Sequence, residues 1–240
     1  MKKVAVLLLI CVILLCACTQ KDVIMEEDTD KDNIQVTVKA QGTGPNYILY
    51  DFYTYDELEQ FPLFEMLERD MEQEEYLLWN EQFHWDKIPI PYRGSQPVPL
   101  ESTIDESLIL FFSSELYARP WFWFRTVVSG QPITIRMLMD PNALQGVAPG
   151  ASGSEVVRHI WPSAPNIENA HEREDYSLIT EMDIQTADGT KTALLTKSAI
   201  YDSESLFFVQ NGYFVLINAP QGIITNSWLN TFNIQQISIA

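Results

Sequence analysis

WFWFRTVVSGQPITIRMLM, Trp121–Met139, sets two runs of aromatic, β-branched and long apolar residues on either side of Ser129-Gly130-Gln131-Pro132. Glycine and proline between two such runs mark a hairpin, and a two-residue loop with glycine first suits a type II′ turn. A loop of Gly130-Gln131 pairs Val128 with Ile133, Thr126 with Ile135, Phe124 with Met137 and Phe122 with Met139 on one face. The other face then pairs Val127 with Thr134, Arg125 with Arg136, Trp123 with Leu138 and Trp121 with Asp140. Strand side chains alternate with period two, so one face is wholly apolar and the other mixes tryptophan with arginine.

Two further hairpins follow. Asp188-Gly189 reads as a type I′ turn that puts Met182, Ile184, Ala193 and Leu195 on one face and Asp183, Gln185 and Thr192 on the other. Asn211-Gly212 joins Leu206-Phe-Phe-Val to Tyr213-Phe-Val-Leu-Ile, and both faces of that hairpin are apolar. Such a hairpin belongs in the middle of a sheet covered on both sides. Ile34-Gln-Val-Thr-Val alternates as a first strand, Asn46 to Tyr53 reads as a second, and Ile234 to Ile239 as a closing one.

Helices are few. Thr54 with Glu57 and Ser152 with Glu155 have capping-box spacing. A helix opening at Pro62 carries Leu63, Met66, Leu67, Met71, Leu77 and Leu78 at helical spacing. Its solvated face has Glu65, Glu68, Asp70, Glu72, Glu74 and Glu75. A two-turn helix carries Val156, Val157, Ile160 and Trp161, and a short one from Thr225 carries Trp228, Leu229 and Phe232. Residues 86–103, with Pro89, Pro91, Pro97 and Pro99, read as an extended connector, and Pro149-Gly-Ala-Ser-Gly153 as a flexible joint. Antiparallel hairpins with segregated helices predict an α+β fold. The sequence leaves open whether residues 34–145 and 171–240 form one sheet or two lobes.

Met1-Lys2-Lys3 precedes 12 apolar residues, Val4 to Leu15, a run too short to span a bilayer. Leu15-Cys16-Ala17-Cys18 closes it and resembles the lipobox of bacterial lipoproteins. The resemblance implies cleavage after residue 17, a diacylglycerol on the Cys18 thiol, and a home on the outer side of the cell membrane. Residues 1–17 are then the signal peptide, 18–33 an acidic tether and 34–240 the globular domain. Beyond the lipobox no characterised family is evident; the glycine-turn hairpins followed by a short helix look loosely like the C-terminal part of uncharacterised bacterial lipoprotein domains, over about 60 residues that transfer no functional positions.

Cleavage takes Lys2 and Lys3 from the 15 basic residues, leaving 13 against 33 acidic ones. That balance argues against a nucleic-acid partner and against an electrostatic grip on anionic polymers. Cys11, Cys16 and Cys18 are the only cysteines, so the domain beyond the cut holds no thiol for a disulfide, a thiolate metal site or a nucleophile. His84, His159 and His171 lack zinc-site spacing, and the run Asp28-Thr-Asp30-Lys-Asp32-Asn33 lacks the glycine and glutamate of an EF-hand loop. No Gly-x-Ser-x-Gly elbow, phosphate loop or dinucleotide fingerprint occurs, and no cofactor is implied. Gly150-Ala-Ser-Gly153 near a helix start reads either as a hinge or as a small-anion site.

The candidate ligand-binding residues are Trp121, Trp123, Arg125 and Arg136. Arginines opposed across a ladder repel and call for an anion, from a ligand or from the acids of a covering helix. If a ligand supplies it, the tryptophans stack its ring; if a helix does, they are core. The sequence therefore points to a membrane-anchored binding or interaction module with a small-molecule or protein partner. The alternatives are an extracytoplasmic hydrolase using paired carboxylates and an accessory subunit of a membrane complex.

Overall fold

A computed structural model describes residues 47–70, 87–100, 108–113, 121–138 and 143–238. Cys18, His84 and the strand expected at Ile34–Val38 lie outside them. The fold is α+β, with two open antiparallel sheets.

The larger sheet contains β1 (Tyr47–Phe52), β4 (Leu108–Ser113), β5 (Trp121–Val128), β6 (Gln131–Leu138), β7 (Tyr176–Thr186), β8 (Gly189–Ser198), β9 (Glu204–Gln210) and β10 (Tyr213–Ala219). Their order is β1-β4-β5-β6-β10-β9-β8-β7, so strands from both halves of the chain share one sheet, joined where β6 meets β10. The smaller sheet has the order β11-β2-β3, from Phe232–Ser238, Lys87–Arg93 and Gln96–Pro97.

One face of the large sheet packs against the small one. Phe122, Phe124, Ile133, Ile135, Met137, Leu206, Phe208, Val215 and Ile217 share a buried cluster with Ile88, Ile90, Phe232 and Ile234. Helix α1 (Tyr55–Glu59) and helix α2 (Leu63–Asp70) close that layer. Thr54 and Glu57 form the expected capping box. Phe61, between the two helices, seals the corner with its ring 4.9 Å from Tyr50 and 5.0 Å from Phe52. The opposite face receives helix α3 (Gly153–Ile160), whose Val156, Val157 and Ile160 meet Leu194, Phe207, Phe214 and Leu216. The β9–β10 hairpin is thus central and covered on both sides, and its Asn211-Gly212 turn has both φ positive, 50° and 80°, as a type I′ turn requires.

The first hairpin has the expected faces but a different register. Val128 faces Gln131, Arg125 faces Thr134 and Trp123 faces Arg136, so each partner on β6 is displaced by two residues. Proline explains the shift. A loop of Gly130-Gln131 would close with a hydrogen bond from residue 132, and Pro132 has no N–H. The chain turns one residue earlier, with Ser129 (φ 52°) and Gly130 (φ 77°) left-handed in a type I′ turn closed by Gln131. Displacement by two keeps every side chain on its face.

Three other readings are corrected. The turn at Asp188-Gly189 pairs Thr186 with Gly189; only Gly189 has positive φ (101°), which makes an ordinary turn with a glycine bulge, and the expected faces hold. The proline-rich stretch 86–103 contains strands β2 and β3. Pro91 accepts a hydrogen bond from Val98 N through its carbonyl, so the imide side of residues 89 and 91 faces β3 and the open end beyond it. The ladder to β11 runs through Ile88 and Ile90 and loses nothing to proline. Gly153 is a packing residue: a Cβ there would lie 2.2 Å from Leu194 N and 2.6 Å from Phe207 O.

Candidate functional site

Trp121, Trp123, Arg125 and Arg136 share the α3 face of the large sheet, and all four are half-buried. Trp121 belongs to the core: it meets Phe214 edge-on at 6.0 Å and packs against the cluster around α3. Trp123 and Arg136 pair directly across β5 and β6, and the guanidinium carbon sits 4.5 Å from the ring centroid. At that distance the cation meets the negative face of the indole, an attraction strengthened when both groups leave water.

Burial, and next the neighbouring Arg125 guanidinium, lower the Arg136 pKa from its ordinary value. Both are costs borne by the charged form. The Arg136 Nε is shielded from solvent and has no hydrogen-bond partner among the described residues. Asp51, which no local sequence pattern marks, is buried on this same face, in the row that runs Asp51, Ile109, Trp123, Arg136, Leu216. Only a register could have placed it there. Two cationic side chains and an indole can hold a planar or sugar-like ligand by stacking and by a charge-assisted contact to a carboxylate or phosphate.

The other candidates are otherwise engaged. Ser152 Oγ accepts from Glu155 N and Ser154 Oγ from Ile167 N, so both hydroxyls serve the backbone. Glu155 returns a carboxylate to Ser152 N, and Glu181 from β7 accepts from Ser154 N at 3.3 Å. Two carboxylates therefore already accept from the amides at the start of α3. His159 is exposed on α3 and lines a hollow of about 310 Å³ with Glu155 and Arg158. His171 is exposed beside Glu172 at 3.5 Å. Among the described residues no three His, Cys, Asp or Glu side chains are grouped to hold a metal, and no helix is long and apolar enough to cross a membrane. No protein-family model, curated protein or solved structure matches the chain.

Proposed function

We propose that the chain is a lipid-anchored, extracytoplasmic binding module whose ligand-facing element is the Trp123–Arg136 stack with Arg125 beside it. The address rests on the Lys2-Lys3, apolar run and Leu15–Cys18 pattern. The observation that carries the binding reading is the Arg136 guanidinium, held over an indole with its Nε desolvated and unbonded among the described residues. A cation kept in a disfavoured place is a group ready to accept an anion. The ligand class is a planar or sugar compound bearing a carboxylate or phosphate.

Titration of the full chain in detergent with aromatic carboxylates and sugar phosphates, followed by tryptophan fluorescence, tests this. Saturable quenching that Arg136→Gln weakens at least tenfold supports the reading. Quenching that Arg136→Gln leaves unchanged, or no response at millimolar ligand, refutes it.

A further inference from the structure

Among the described residues strand β7 ends the large sheet, and its outer side is a template for another strand. Pairing with β8 runs from Thr186–Gly189 upward, so Ile184, Met182, Thr180 and Leu178 turn their backbone groups inward to β8. Ile179, Glu181, Asp183 and Gln185 turn theirs outward. The lower end is capped, because Ala187 N donates to Phe232 O. The upper end is marked by the irregularity between Tyr176 and Leu178. Between them, residues 178–182 carry one charged side chain, Glu181, and no proline, and Leu178 is 39% exposed.

We infer that the edge of β7 pairs antiparallel with β7 of a second copy of this chain, about a two-fold axis at Thr180. The register follows by elimination. An axis at residue 181, 182 or 183 sets Glu181 or Asp183 against an acid of the other copy, which is unfavourable across a ladder. An axis at 179 draws Ser177, in the irregular stretch, into the pairing. The axis at 180 pairs Ile179 with the other copy's Glu181 and Leu178 with its Met182, leaving no like charges opposed. It covers Leu178 with an apolar neighbour. The Glu181 side chain is not needed at the edge, since it is committed to the start of α3. A two-fold normal to the sheet keeps the two faces in line, so the pairing is self-complementary.

The test uses the full chain in detergent with Cys11, Cys16 and Cys18 changed to Ser, so that an added cysteine is the only thiol. Thr180→Cys places two thiols at a non-hydrogen-bonded pair, where Cα atoms lie about 4.5 Å apart, within disulfide reach. Diamide takes up the two electrons and two protons released. The expected result is a dimer band on a non-reducing gel for Thr180→Cys, and monomer for Gln185→Cys at the capped end. In the otherwise natural chain, Thr180→Lys, which opposes two ammonium groups, weakens self-association at least tenfold by sedimentation. Equal cross-linking at both positions, none at Thr180→Cys, or a natural chain that stays monomeric at about 100 μM overturns the inference.

Discussion

Arg136 covers the ring of Trp123 because the β5–β6 register sets the two directly opposite, not because the arginines oppose each other. Arg125 instead faces Thr134, on the same side of the sheet. Repulsion between the guanidiniums is thereby diagonal, and a stacking contact offsets part of it. A double-mutant cycle with Trp123→Leu and Arg136→Met should give a coupling of about 0.5–2 kcal/mol. Strict additivity in urea unfolding would remove the stack from the account.

Gly153→Ala should be among the most damaging single changes. Its Cβ would press on the backbones of β8 and β9 at 2.2 and 2.6 Å, and backbone in mid-sheet cannot step aside. A loss of about 3 kcal/mol or more is expected from overpacking of this kind. Chemical unfolding midpoints measure it, and a wild-type midpoint would mean α3 does not sit so close.

Tyr55 should shape the alkaline limit of stability. Burial, with Tyr92 as a lesser cause, raises its pKa far above the ordinary value, and its hydroxyl donates to Val98 O. The neutral phenol is the form the fold accepts. Its contribution is complete below about pH 10, the unfolded value, and is lost as pH rises towards the folded value. Tyr55→Phe should cost about 1–2 kcal/mol at neutral pH and show a shallower decline above pH 10. Parallel declines for both proteins would sink this assignment.

Cys18→Ala should leave an unprocessed precursor that no longer takes up labelled fatty acid. Processing and detergent-phase partitioning identical to the natural chain would end the lipoprotein reading. With no cysteine after residue 18, reductant should leave the melting temperature unchanged. A shift of several degrees would contradict the cysteine count.

Which side chains share a face was legible in the sequence because strand alternation has only two outcomes. Phe122, Phe124 and Met137 lie on one side of the first hairpin and Trp123, Arg125 and Arg136 on the other, as their spacing requires. Which residue faces which was harder, since it depends on a single N–H that Pro132 lacks. Strand β4 carries no local signal, because Leu108-Ile-Leu-Phe-Phe112 is a short apolar run without a turn signal beside it. Strand β2 was masked by Pro89 and Pro91, whose effect depends on which way their nitrogens face. The Trp123–Arg136 contact and the place of Asp51 needed the register of four strands, and no local pattern encodes that.

The seam between β6 and β10 also sets a timetable. Each four-strand group is stitched largely by neighbours in sequence, whereas Gln131–Leu138 must wait for Tyr213–Ala219 before the two become one sheet. Contacts so distant along the chain form late. A polypeptide delivered amino end first keeps the open edge of β6, from Thr134 to Leu138, unmated until Tyr213–Ala219 has arrived. Loss of the last thirty or so residues would strand two half-sheets rather than trim one.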